Sequence, residues 1–311
     1  MAITPRDRLF IERLAAIISE IEAQMCREQG YFIRPNARRV SNESVVEHVF
    51  ILLSTGNPWS FLQYCTQPRG FHYQTVYQRF HMWVEFGIIE AAWTKVLERY
   101  VSSRLSKNAT HFAHLYIDTT TVKNVGGTDC VGKNPTDRKR MGSKISAIVD
   151  DDKVSVSPPV PYPANRADIT TAEPTFDSIP FDLMPDRRRV IKIAADKAYR
   201  SRPLFETMRA KRVRLVTEPK RNERNPIPLR RQDRSMFKKR IKIEHYFGIS
   251  KKCRRIRTRF DGLMRHYVAF WYMSNVRRMM VVLSEKLSST EFNELLTLNR
   301  LIDTLVSCMR P

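Results

Sequence analysis

The chain has 311 residues, 42% of them hydrophobic, with 54 Lys and Arg against 32 Asp and Glu and a formal net charge of +22. That length and apolar content supply a packed core and imply two domains, or one large domain with appendages. The five cysteines (Cys26, Cys65, Cys130, Cys253 and Cys308) are odd in number, far apart and without a C-x-x-C pair, so they read as free thiols in a reducing compartment and exclude a disulfide framework and a zinc site.

The first forty residues open with an amphipathic helix, its apolar face made by Leu9, Ile11, Leu14, Ile17, Ile18 and Ile21, and end in a basic linker at 34–39. Ser41 or Asn42 is placed to cap a helix over 43–54, which Gly56-Asn57-Pro58 breaks. A short helix over 59–64, a turn at Gln67-Pro68-Arg69-Gly70 and a helix over 73–86 stopped by Gly87 follow the order of a helix-turn-helix module. Within the last helix Gln74, Gln78 and Arg79 are types that read bases or phosphates, while Val76, Phe80 and Trp83 suit a core. A plain three-helix scaffold produces the same pattern.

From about residue 111 the pattern changes to strands. Strands are expected over 114–122, 144–149 and 154–156, the last two joined by Asp150-Asp151-Asp152, which read as solvated turn residues. Pro158, Pro159, Pro161 and Pro163 end that unit. A helix over 170–179, a strand over 190–194, a helix over 202–211 and a strand over 213–216 follow, giving an α/β sheet of mixed direction. The stretch 219–234 reads as a basic loop, and helices over 236–252, 263–287 and 291–309 close the chain.

The positive charge is confined to one stretch. Residues 186–278 hold 30 Lys and Arg against 8 Asp and Glu, a net of +22, and the rest of the chain is balanced. A field of one sign on one segment points to phosphate binding, with ribosome or membrane contact as the alternative. Three acids suit a metal-dependent phosphoryl-transfer site: Asp118 in a strand, Asp196 just after one, and Glu244 on a helix. A carboxylate at a buried strand position needs a positive partner, and Mg²⁺ is the usual one when every ligand is oxygen. Each acid also has an ordinary reading, as a turn former or as a solvated helical Glu paired with Arg240. On one continuous helix, Phe237, Arg240 and Lys251 would share a stripe with Glu244. Asp168 is weighed chiefly as a cap or first-turn acid for the helix after it. His111, His114 and His245 lack ligand spacing and are set aside as metal ligands.

These motifs resemble those of the IS4/IS5-type DDE transposases. Arg240, Glu244 and Lys251 match that family's Y-x2-R-x3-E-x6-K signature, with Phe237 in place of the Tyr. Tyr116-Ile117-Asp118-Thr119-Thr120-Thr121-Val122 resembles its first strand motif, and Ala195-Asp196-Lys197-Ala198-Tyr199 its second. Gly142-Ser143-Lys144-Ile145 and the run from Arg254 to Asp261 are similar to further family segments, so the resemblance covers most of residues 42–280.

The resemblance implies an α/β fold with an RNase H-like mixed sheet and flanking helices, after an all-α, helix-turn-helix-like N-terminal domain and before C-terminal helices. The implied division is an N-terminal helix and linker at 1–40, a helical DNA-binding-like domain at 41–105 and the catalytic domain at 106–311. Catalytic and metal-binding roles fall to Asp118, Asp196 and Glu244, with two Mg²⁺ ions per site and Mn²⁺ as a substitute. The resemblance gives contacts to DNA phosphates to Arg240 and Lys251; the basic stretch adds Lys197, Arg254, Arg255 and Arg257 as expected DNA contacts, and the helix-turn-helix reading adds Gln78 and Arg79. The expected partners are double-stranded DNA, as element ends and target, and a second copy of the chain. The helix bearing Met273, Val276, Met280 and Leu283 offers a dimer interface or, equally, core packing. A nuclease or resolvase on the same fold and a non-catalytic DNA-binding regulator are the alternatives. With no apolar run near the roughly 18–20 residues of a membrane span and no signal pattern, the expected location is the cytoplasm, nucleoid-associated if bacterial.

Overall fold

The computed structural model describes residues 4–28, 30–33, 39–108, 110–135, 137–183, 190–221, 223 and 228–286, so the helix expected over 291–309 lies outside them. The first apolar stripe forms α1 (Pro5–Glu28). Ser41 caps α2 (Asn42–Thr55) by accepting the Ser44 N–H at 3.1 Å, and Gly56, at φ 72°, ends it. Short helical turns between Trp59 and Arg69 lead to α3 (Tyr73–Glu85). Gly87 is left-handed, as expected, but it serves as the N-cap of a further helix, α4 (Ile88–Lys107). No separate helix is expected there because α4 is buried on several sides and shows no single apolar stripe.

The sheet follows. Its strands are β1 (His114–Asn124), β2 (Gly132–Lys133), β3 (Met141–Val149) and β4 (Val160–Pro163), then, after helix α5 (Ala172–Asp177), β5 (Ile191–Ala194). Helix α6 (Arg202–Ala210) crosses to β6 (Val213–Val216). Helices α7 (Arg234–Lys238), α8 (Ile241–Ser250) and α9 (Arg254–Arg257) precede β7 (Thr258–Arg259) and the long α10 (Met264–Lys286). The path across the sheet is β2-β3-β1-β5-β6, with β4 on β3 and β7 on β1. β1 pairs with β3 antiparallel and with β5 parallel, and β6 is parallel to β5. This is the RNase H-like mixed sheet with flanking helices that the motifs implied.

Three expectations are corrected. The fourth strand is Val160–Pro163, whereas 154–156 contributes an isolated bridge from Ser155 to Val149. Pro161 and Pro163 are tolerated because β4 pairs with β3 alone. The helix expected over 236–252 is broken at Lys239-Arg240, where i→i+3 bonds (Lys239 N–H to Met236 O, 2.9 Å; Arg240 N–H to Phe237 O, 3.0 Å) tighten the backbone. Phe237 therefore leaves the stripe of Glu244 and packs against the core. Third, Asp150 is fully buried: Tyr100 (2.5 Å) and His111 (3.0 Å) reach its Oδ2, and its Oδ1 accepts the N–H groups of Asp152 and Val154. Asp152 is bound by Arg104 and Lys286, so these acids anchor the hairpin to α4 and α10 and are not solvated.

α10 ties the helices to the sheet. Met273, Val276, Met280 and Leu283 are all buried within the chain, which makes them core. Arg277 on its far side forms an ion pair with Asp7 of α1 at 2.9 Å. Among the described residues, no helix is long and apolar enough to cross a membrane.

Candidate active site

Register decides where the first two acids stand. In the parallel pair of β1 and β5, Tyr116 opposite Ala194 is the last match. Asp118 and Asp196 each lie two residues further on, so they share a face with that pair and stand level where β5 ends and β1 continues. The carboxyl end of parallel strands is where open α/β sheets bind ligands. Asp118 faces Ala147 in the β3 register, and its Oδ1 accepts the Thr119 N–H at 2.8 Å. Asp196 caps the 3₁₀ turn Lys197–Tyr199 by accepting the Lys197 N–H.

Glu244 enters from above. It occupies the first turn of α8, and its side chain is about half exposed. Arg240, one turn before it, places Nη2 at 3.0 Å from Glu244 Oε1 and Nη1 at 3.5 Å from Asp118 Oδ2. One planar guanidinium thus spans the first and third acids. Lys251, at the other end of α8, donates to Thr120 Oγ1 at 2.6 Å and to the Thr121 carbonyl at 3.1 Å, pinning the helix along β1. Burial, helped by Arg257, holds the Lys251 ammonium below its ordinary pKa.

The electrostatics favour a cation. Burial is the largest influence on Asp118, and Asp168 and Asp196 add to it; against them stand the Thr119 N–H and Arg240. The carboxyl is pushed up to about 6. Asp168 is an acid that the sequence reading undervalues. It does begin a 3₁₀ turn, but its carboxylate caps nothing. Its Oδ1 instead accepts Thr119 Oγ1 at 2.7 Å and Lys144 Nζ at 2.6 Å. Lys144 also donates to the Arg166 carbonyl (2.8 Å), so the Gly-x-Lys hairpin start positions Asp168 beside Asp118. Gly142 was the available signal, since a Cβ there would sit 2.9 Å from the Val122 carbonyl.

A hard, all-oxygen, partly buried set of acids suits a divalent cation such as Mg²⁺ or Mn²⁺, and a bound cation would offset the burial that raises the Asp118 carboxyl. The three acids do not form one ready-made cluster, because Arg240 stands between Asp118 and Glu244. Among the described residues, sets of three ligand atoms within 4.8 Å of one another occur at His111, Asp150 and Asp152, and at His81, Glu85 and His266.

The expected DNA contacts divide by burial. Lys197, Arg254, Arg257 and Gln78 are exposed, and Arg240 and Lys251 lie at the acids. Arg79 and Arg255 are corrections, being 2% and 3% exposed. Arg79 pairs with buried Glu22 at 3.1 Å, a partner on α1 that joins α3 to the helices beneath it. Arg255 pairs with Asp261 at 2.7 Å, donates to the Asn57 carbonyl at 2.9 Å and lies over the Phe270 ring. Neither presents its charge to a phosphate.

No curated protein matches the sequence. Among solved structures, a chain of a piggyBac transposase synaptic complex with hairpin DNA aligns over 99% of this chain and 86% of its own. Its identity is 13% and its TM-score 0.43, a distant likeness. The family described as Transposase DDE domain matches residues 111–274, which include Asp118, Asp196 and Glu244. That match takes in more than half of the chain, and the protein belongs to this family of transposases, whose cleavage and joining of DNA depend on divalent metal.

Proposed function

We propose that the protein is an IS4/IS5-type transposase that cuts the ends of its mobile element and joins the freed 3′-OH to target DNA, with Asp118, Asp196 and Glu244 holding two Mg²⁺ ions. The observation that carries this reading is the placement of Asp118 on β1 and Asp196 just past the end of the neighbouring parallel β5, each two residues beyond the last paired residues, with Arg240 linking Asp118 to Glu244. When bound, the ions supply positive charge at the reacting phosphate and make the attacking water or 3′-OH more acidic.

The remaining work belongs to the chain's own groups. Asp118 stands inside β1, paired with β3 at that position and two residues past the last pairing with β5, so the strand holds its carboxylate in place. Arg240 brings a fixed guanidinium to the phosphate as charge builds on it, and Lys251 adds a second cation. Lys197, Arg254 and Arg257 grip the DNA backbone from the basic stretch. Gln78, exposed on α3, contacts the element end from the helical region 41–105, and 106–311 is the catalytic domain. Two copies bridge two ends in the cytoplasm.

The test is cleavage of a DNA fragment carrying one element end, in Mg²⁺. Asp118→Ala, Asp196→Ala and Glu244→Ala are each expected to abolish cleavage and to leave DNA affinity within about threefold, because phosphoryl transfer rests on positioning and charge at the site. Cutting at the native rate by any one of them would sink the assignment. Strand transfer into a second plasmid separates a transposase from a nuclease, which yields cut ends alone.

A further inference from the structure

A second cluster of ligand-type side chains lies away from these acids, where α3 meets α10. His81 and Glu85 are four residues apart on α3 and so share one face of that helix. His266 comes from the first turn of α10. His81 Nδ1 is 3.9 Å and His266 Nε2 is 3.7 Å from Glu85 Oε1, and the two imidazole centroids are 4.6 Å apart. Each residue offers one donor atom, and the three atoms all lie within 4.8 Å of one another.

Packing alone accounts poorly for this arrangement. His266 Nε2 is buried and, among the described residues, has no hydrogen-bond partner. A separation of 3.7 Å from a carboxylate is too long to serve as one. A buried nitrogen left unsatisfied costs on the order of 1–3 kcal/mol, so packing gives this one no reason to be where it is unless it binds something from outside the chain. A neutral imidazole keeps one ring-nitrogen lone pair that a Lewis acid can take. Glu85 also accepts Arg265 Nε at 2.7 Å, but an ionised carboxylate has about four acceptor positions and keeps capacity for a metal.

We infer that His81, Glu85 and His266 bind one divalent transition-metal ion, of which Zn²⁺ is the type. Two imidazoles and a carboxylate form a donor set that zinc takes in tetrahedral geometry, at about 2.0–2.2 Å per bond, so its ligand atoms stand roughly 3.3–3.5 Å apart. Small side-chain rotations close the present separations to that value. The fourth position opens on a cavity of about 190 Å³ bordered by Tyr77, Asp261 and the two histidines, room for water. A zinc site was excluded in the sequence on cysteine spacing, and this one uses no cysteine. Its effect is mechanical: the ion fastens α3, which carries exposed Gln74 and Gln78, to α10, the long helix that packs against α4 and the Glu244 helix α8.

The test uses the full chain, stripped by a chelator and held in excess Mg²⁺, titrated with Co²⁺ and with Zn²⁺. Co²⁺ is expected to give one equivalent of an intense, tetrahedral visible band, which Zn²⁺ displaces. Zn²⁺ is expected to raise Tm by several degrees at about a hundredfold excess over its dissociation constant. Both responses should persist in Glu244→Gln, since an all-oxygen site holds cobalt in weakly absorbing octahedral form, and both should vanish in His81→Ala and Glu85→Gln. His81 and Glu85 are partly exposed, so these variants fold; circular dichroism verifies it. Absence of the band in the native chain, its survival in both variants, or its loss in Glu244→Gln alone overturns the inference.

Discussion

Asp118 concentrates a conflict between stability and chemistry in one carboxyl group. Its value of about 6 lies above the ordinary 3.8, so the metal-free folded chain holds that proton more tightly than the unfolded chain does. The sign follows from linkage: the stability tied to this group is full below pH 3.8, is lost as pH rises through about 6, and stays lost above it. Asp118→Asn removes the charge and keeps an acceptor for the Thr119 N–H. The metal-free variant is therefore expected to be more stable than the native chain at pH 8, by about 1–2 kcal/mol, and to lose that advantage as pH falls toward 4. Mg²⁺ should reverse the order at pH 8, since it stabilises the native chain alone. Thermal unfolding at the two pH values, with and without Mg²⁺, measures this; parallel pH profiles for both proteins would refute it.

At the scale of elements, α3 shows how one helix divides its labour. Arg79 and Glu22 form a buried pair, reinforced by Trp83 Nε1 donating to Glu22 at 2.6 Å and Tyr31 at 2.8 Å. Removing one member strands the other charge, so Arg79→Ala is expected to cost about 3–5 kcal/mol of folding stability. Gln78→Ala, on the exposed face, should change stability by less than about 0.5 kcal/mol yet lower the preference for element ends over random DNA by about fivefold or more. Urea unfolding and competition binding read the two effects apart. A stable Arg79→Ala chain with weakened end binding would show that the helix faces the other way.

The same elements explain what could be read from sequence. β6 falls over 213–216 as expected, and β1 and β5 within two residues, because β-branched runs bounded by turn residues leave little choice. The position of the acids followed from those strands. β4 was missed because its prolines argue against a strand unless the partner on one side is known to be missing. The break before α8 was missed because apolar and basic residues alternate across it without interruption. Arg79, Arg255 and Asp150 look like surface residues one at a time. Each has a partner from elsewhere in the chain (Glu22 in α1 for Arg79, Asn57 after α2 for Arg255 besides its nearby Asp261, Tyr100 in α4 for Asp150), and local pattern carries no record of tertiary pairing.

Across the whole molecule the charge of +22 belongs to 186–278, the stretch that supplies β5, β6, the Glu244 helix and half of α10. The acids and the cations are therefore folded together, and DNA drawn to the basic surface is drawn to the site. A cavity of about 630 Å³ beside edge strand β6, bordered by Arg200, Arg209, Arg212, Arg214 and Arg230, extends that surface away from the acids. Binding on such a surface releases counterions, and affinity falls with salt by a logarithmic slope of about −0.9 per phosphate neutralised. Substituting Lys197, Arg254 and Arg257 together by Gln is thus expected to flatten the slope by about 2–3 units, with the fold intact because all three are exposed. Arg6→Gln provides the comparison: Arg6 is equally exposed on α1 but lies in the charge-balanced remainder, so its slope should match the native one. Affinities for end-containing DNA between about 50 and 200 mM salt give both slopes. Flattening by the same amount per charge removed in the two variants would mean that DNA follows the net charge of the chain and has no preferred track past Glu244.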